Sequence, residues 1–254
     1  MVKGSRPAHP KYGVATTSVK TKTPVAAIPT ASTAGGAHTP RTIATPPDDL
    51  DSLVKRITWP ADKIIHRIHP EIYAAEIFNP GPDGNARFSP ISNAHGTSIA
   101  TIYGAMTLEC AAMETVFHDV PHAPGLKSVA KRKLKGHQYS QLLPSQDLTL
   151  ASLTAAPLRK LGIPRADLID SDKDIYPQTR KWAEAIYAQC RDVQGLEWVS
   201  RQDDSARAII LFEDRLPPSP LQSVGTSVDI VADIHTYAAL VALADTIGVK
   251  ITGK

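Results

Sequence analysis

The sequence predicts a single α+β domain, with strands and helices mixed along the chain, preceded by a disordered N-terminal extension. Three observations carry this. From about residue 50 onward, short apolar runs of strand character alternate with segments whose apolar residues recur at helical spacing. No repeat and no long linker divides residues 50–254 into smaller units. Residues 1–49, rich in Pro, Thr, Ala and Ser, show neither periodicity. The 254 residues suffice for one substantial core, and 42% apolar with 21% charged residues is an ordinary globular composition.

The extension holds most of the excess charge. Residues 1–50 carry six cations (Lys3, Arg6, Lys11, Lys20, Lys22 and Arg41) against Asp48 and Asp49, a balance of +4, while the whole chain has a net charge of +3. Such a segment cannot bury enough apolar surface to offset the entropy of ordering it. Its charges are too widely spaced for a nucleic-acid-binding arm, so nucleic acid is not expected as a direct partner. A membrane is not expected either. The longest apolar runs, Ala208 to Phe212 and Tyr237 to Ala244, fall far short of the roughly 20 residues that span a bilayer. Lys3 and Arg6 are followed by no apolar stretch of the kind a secretory signal needs. Two isolated cysteines, Cys110 and Cys190, fit reduced thiols and a cytoplasmic location.

The elements follow in order. Ile64 to Ile68 and Thr97 to Ala105 read as strands, and Thr107 is placed to cap a helix running to about Phe117. Pro177 suits a first helical position. Trp182, Ala183, Ile186 and Tyr187 follow at helical spacing, predicting a helix over 177–190. Gly195 then resets the chain, and 196–200 with 206–212 predict a hairpin whose loop lies at Asp203 and Asp204. A last amphipathic helix runs from about Asp233 to Thr246 and ends at Gly248.

Several motifs invite a function and fail on their details. Asp170, Asp172 and Asp174 alternate like the start of a calcium loop, but Ile175 and Lys181 stand where that loop needs Gly and Glu. His66 with His69, and His118 with His122, form close pairs that suggest zinc. Pro70 and Pro121 beside them argue against regular facing geometry, so hydrogen-bonding histidines are expected and no metal. Ser200 has no flanking glycines of a nucleophile elbow. No Gly-x-Gly-x-x-Gly follows a strand, so an oxidoreductase that recycles a dinucleotide cofactor is not expected.

What remains is a scattered set: Arg67, Arg87, Tyr103, Glu114 and Ser200. Taken singly, each has a plain reading. The arginines would be surface or ion-pairing groups, and Ser200 a strand-terminal hydroxyl making a local bond. On a helical wheel Glu114 lies off the apolar stripe of Leu108, Ala112, Thr115 and Val116, as a solvent-facing glutamate would. Together they supply two fixed cations, a carboxylate, a hydroxyl and an aromatic ring.

The segments around these residues resemble the RES domain, a family named for its Arg, Glu and Ser. The blocks are His66-Arg67-Ile68-His69-Pro70, Asn85-Ala86-Arg87-Phe88-Ser89-Pro90, Thr101-Ile102-Tyr103 with Glu109-Cys110-Ala111-Ala112-Met113-Glu114, and Trp198-Val199-Ser200-Arg201. In the second block the family often has Gly before the arginine and Trp-Asn after it; here Ala86, Phe88 and Ser89 stand there. The resemblance implies a fold similar to ADP-ribosyltransferase toxins. It also implies an activity that consumes NAD as a substrate, in some members with inorganic phosphate as co-substrate. The partner it implies is an antitoxin protein, and a homo-oligomer stays open. Carried across, the catalytic residues are Glu114, Arg67 and Ser200, and the NAD-binding residues Arg67, Arg87, Tyr103 and Ser200.

The residue types suit that chemistry. Breaking the nicotinamide–ribose bond moves positive charge onto the sugar, and a carboxylate beside it, expected of Glu114, stabilises the oxocarbenium-like transition state. Arginine's planar fork binds phosphate oxygens in pairs, the role expected of Arg67 and Arg87. Tyr103 can stack against a base, and Ser200 can position a ribose or Glu114. The alternatives are an ADP-ribosyltransferase that modifies a protein, a non-catalytic NAD-binding or interaction module, and a metal-dependent hydrolase built on the histidine pairs.

Overall fold

The computed structural model describes residues 42–253. The expected disordered extension lies, for residues 1–41, outside the described residues. Residues 42–49, also assigned to that extension, pack into the domain instead. Ile43 is 5% exposed, its amide donates to Gln178 Oε1 at 2.9 Å, and the Ala44 carbonyl accepts from Trp182 Nε1 at 2.8 Å. An apolar residue among prolines and threonines is a weak sequence signal, and only the helix it meets makes it part of the core.

In chain order the elements are α1 (Leu50–Leu53), β1 (Arg56–Trp59), β2 (Ile65–Pro70), β3 (Ile91–Ser92), β4 (Ser98–Ile99), β5 (Thr101–Ala105) and α2 (Leu108–Met113). Next come β6 (Lys127–Ala130), β7 (His137–Pro144), β8 (Leu148–Ser152), α3 (Ala155–Lys160), α4 (Arg165–Leu168) and α5 (Tyr176–Gln189). The chain closes with β9 (Gly195–Val199), β10 (Arg207–Phe212), β11 (Leu221–Ser223), β12 (Val228–Asp229), α6 (Ile234–Thr246) and β13 (Val249–Thr252). The mixed α/β domain expected from the sequence is what forms.

Nine strands make the main sheet among the described residues, in the order β1-β8-β9-β10-β5-β2-β7-β11, with β12 also pairing β7. All these pairings are antiparallel except β8 with β9, which the crossover through α3, α4 and α5 makes parallel. Strand alternation gives the sheet two apolar faces. Ile68, Ala105, Leu196, Trp198, Ala208 and Ile210 join α2 and α5 on one face. Ile65, Ile102, Leu142, Leu150, Ile209 and Leu211 fill the other.

Local chemistry explains the element ends that matter for the site. Thr107 caps α2, its side chain accepting from Cys110 N at 3.1 Å. The helix stops at Met113 rather than near Phe117. Thr115 and Val116 are β-branched, the Thr115 hydroxyl returns to Ala111 O at 2.6 Å, and Phe117 N reaches Ala112 O, so the chain leaves helical register in a run of turns. The run expected as one strand over 97–105 is broken at Ala100 into β4 and β5. Gly195 lies inside β9 rather than before it. A Cβ there would come 2.2 Å from the Ile210 carbonyl oxygen, so only glycine lets β10 approach. Asp233 caps α6 through Thr236 N at 2.7 Å, and Gly248 at φ +66° releases the chain after it.

No helix among the described residues is long and apolar enough to cross a membrane. Cys110 and Cys190 are both buried and free, and burial pushes the Cys190 thiol up to about 11.

Candidate active site

A cleft of about 230 Å³ opens where α2 ends, on the sheet face that carries Tyr103 and Trp198. Arg87, Tyr103, Glu114, His118, Asp119, Lys173, Tyr176 and Trp198 all contribute to its lining. Three of the five residues expected from the sequence therefore meet here: Arg87, Tyr103 and Glu114.

Arg87 is delivered by the loop between β2 and β3 and is 6% exposed. Its Nη1 donates to the Ile169 carbonyl, and its Nη2 to the Tyr176 hydroxyl at 3.3 Å. The guanidinium carbon lies 5.2 Å from the centre of the Tyr176 ring. The Tyr103 hydroxyl accepts from Phe88 N at 3.2 Å, which ties the Arg87 loop to β5. Burial pushes the Tyr103 phenol up to about 12, so it stays neutral. Trp198, on β9, meets Phe88 and Tyr103 edge to face, with ring centres 5.1 and 6.1 Å apart.

Glu114 is the residue that caps the C-terminal end of α2. The helical wheel that turned it toward solvent does not apply, because the helix ends one residue earlier. A helix C-terminus is also an electrostatically poor place for a carboxylate. Arg87 Nε, Glu114 Oε1 and Trp198 Nε1 are buried, and no protein group satisfies them. Two donors and one acceptor of this kind lining a single cleft are what a polar ligand would complete.

On the opposite wall runs a chain of hydrogen bonds. His118 Nε2 lies 3.3 Å from the Tyr176 hydroxyl, His118 Nδ1 lies 2.8 Å from Asp119 Oδ1, and Lys173 Nζ lies 2.7 Å from the same oxygen. Lys173 first, then His118, holds the Asp119 carboxyl below its ordinary range.

Arg67 and Ser200 do not line the cleft. Arg67 lies two residues beyond Ile65 on β2 and so points to the other face of the sheet. Its Nη1 donates to the Ala75 and Ile77 carbonyls, the latter at 3.0 Å, and burial lowers the guanidinium to about 10, still charged at neutral pH. Ser200 is fully buried. Its Oγ accepts from Gln202 N at 3.0 Å and Asp203 N at 3.1 Å, closing the turn between β9 and β10. Gln202 Nε2 in turn donates to His118 O at 3.1 Å, so the serine braces the His118 wall from outside the cleft.

The paired histidines make hydrogen bonds. His66 Nδ1 lies 2.6 Å from the Tyr139 hydroxyl and His69 Nε2 lies 2.8 Å from Ser140 Oγ. No group of three His, Cys, Asp or Glu among the described residues could hold a metal ion. In the run read as a failed calcium loop, Asp170 pairs with Arg165 at 3.2 Å and Asp172 with Arg201 at 3.0 Å. Lys173, inside the same run, is the member that reaches the cleft.

The family model described as RES domain matches residues 64–233, well over half of the chain and every element that builds the cleft. The chain belongs to the RES domain family. This RES domain is also similar in fold to a chain in the crystal structure of the M. tuberculosis MbcT–MbcA toxin–antitoxin complex. The TM-score is 0.52, with 17% sequence identity over 68% of this chain and 86% of that one. No curated protein matches the chain. Sequence reasoning about this RES domain missed His118 as a site residue, along with Asp119, Lys173, Tyr176 and Trp198. The indole two residues before Ser200 was the one readable signal, since a tryptophan in a central strand needs a partner for its N–H.

Proposed function

We propose that this RES domain cleaves the nicotinamide–ribose bond of NAD, and that the chain is the toxin of a toxin–antitoxin pair. The observation that carries this reading is the convergence of Arg87, Glu114 and Trp198 on one cleft, each with a buried polar atom left unsatisfied by the protein. Glu114 is the catalytic residue. Its carboxylate stabilises the charge that develops on the ribose as nicotinamide departs as a neutral leaving group. Arg87, locked by Ile169 O and Tyr176, offers Nε–H to a phosphate oxygen. Tyr103 and Trp198 wall the cleft with aromatic surface for a planar ring.

Ser200 and Arg67 act by position. The serine holds the turn that braces His118, and the arginine ties the 75–77 segment to the sheet. The antitoxin is expected to cover the cleft mouth, as a protein that consumes NAD requires restraint.

The test is incubation of the purified protein with NAD and identification of the products by mass. Free nicotinamide together with an ADP-ribose product is the expected result. Intact NAD in the presence of folded protein would remove the enzymatic reading.

A further inference from the structure

We propose that His118 is the general base of this site and that the ribosyl acceptor it activates is water. The inference rests on the NAD-cleaving reading above and names the second substrate of the same cleft.

The geometry is that of an oriented base. Asp119 Oδ1, 2.8 Å from Nδ1, accepts a hydrogen bond from Nδ1–H and so leaves the lone pair on Nε2, which faces the cleft. There Nε2 meets only the Tyr176 hydroxyl, at a long 3.3 Å, a bond that a bound water can replace. Tyr176 is held in turn by Arg87, and the His118 carbonyl by Gln202, so the ring is fixed from both sides. The charged and titratable groups facing His118 are Asp119 and His122 on its own segment, Lys173 just before α5 and Tyr176 at its start, Arg87, Tyr103 and Glu114 across the cleft, and Arg201 with Asp172 beyond.

Chemistry separates the candidate acceptors. Phosphate at neutral pH is already an anionic nucleophile and needs no base, whereas water must lose a proton as it attacks. A phosphate acceptor would also need an uncommitted cation. Three Lys or Arg side chains line this cleft and the adjoining hollow of about 350 Å³. Lys173 is paired with Asp119 at 2.7 Å and Arg201 with Asp172 at 3.0 Å, while Arg87 is taken by the dinucleotide. In the step itself a water lone pair forms the bond to ribose C1 as the C–N pair withdraws onto the pyridine nitrogen, neutralising its charge. The water proton passes to His118 Nε2 and then to solvent. NAD and water thus give ADP-ribose, nicotinamide and one proton.

The experiment follows nicotinamide release by the full chain against pH, with and without inorganic phosphate, for wild type, His118→Ala and Asp119→Asn. Wild type should form ADP-ribose at a rate indifferent to phosphate and with a pH dependence that His118→Ala abolishes. His118→Ala should lose about 10²-fold or more in kcat with KM little changed, and regain activity with added imidazole. Asp119 is exposed, so Asp119→Asn keeps the fold and should show a smaller loss with an altered pH limb. A phosphorylated ADP-ribose product formed only with phosphate, or a His118→Ala variant as fast as wild type, would overturn this proposal alone. No nicotinamide release by wild type would overturn it together with the NAD-cleaving reading.

Discussion

The Arg87 guanidinium lies over the face of Tyr176, 5.2 Å from the ring centre, while its Nη2 reaches the hydroxyl of the same residue at 3.3 Å. One aromatic side chain thus fixes both the plane and the rotation of the cation before any ligand arrives. Lysine cannot reproduce this, having neither the plane nor the fork. Arg87→Lys should weaken NAD binding by about tenfold or more, equivalent to roughly 1.4 kcal/mol, measured by calorimetric titration. Equal affinity would place the diphosphate elsewhere.

Glu114→Gln preserves shape and removes charge. Nicotinamide release should fall by about 10² to 10³-fold, as when other preorganised electrostatic groups are deleted. The thermal shift on adding NAD should persist, because the amide still fills the position. A loss of binding equal to the loss of rate would make Glu114 a ground-state contact only.

Trp198→Phe removes one unsatisfied buried donor and keeps an aromatic ring against Phe88 and Tyr103. The free protein should lose little stability, because a group left without a partner costs more than it contributes. NAD affinity should nonetheless drop severalfold. Chemical denaturation with and without NAD separates the two effects, and an unchanged affinity would show that Nε1 does not meet the ligand.

The Tyr103 phenol gives an alkaline signature. Its folded value of about 12 lies above the ordinary 10, so below pH 10 it is neutral in both states and its stabilisation is complete. Between pH 10 and about 12 the unfolded chain ionises while the folded one does not, and stability falls through that window. Cys190, raised to about 11 from an ordinary 9, pulls in the same direction from lower pH. Urea unfolding across this range should show a shallower decline for Tyr103→Phe than for wild type. Parallel curves would mean that the phenol is not buried.

The fold was legible wherever local chemistry decides it. Thr107, Asp233 and Gly248 mark helix ends, Trp182 and Ile186 mark a buried helix face, and the polar stretch around Asp203 marks a hairpin. The strands His137–Pro144 and Leu148–Ser152 were not read, because β7 and β8 are defined by partners far away in sequence. The same limit applies to the site. Glu114 owes its place to a helix that ends early, and Arg67 owes its orientation to strand parity and to carbonyls at Ala75 and Ile77. His118 and Asp119 gain meaning only when Tyr176 from α5 and Lys173 just before it arrive. For Ser200 a local clue was present: a serine three residues before Asp203 has the spacing of a turn-closing hydroxyl.

The pairing of β5 with β10 joins Tyr103 to Ile210 across more than a hundred positions, and in the sheet β10 stands between β5 and β9, the strand of Trp198. Loop closures of that span are slow and come after the intervening chain exists. During synthesis, the glutamate and its helix emerge long before the strand that must stand beside them. A chain cut short anywhere before β10 therefore lacks the strand that joins Tyr103 to Trp198, and with it the wall of the cleft.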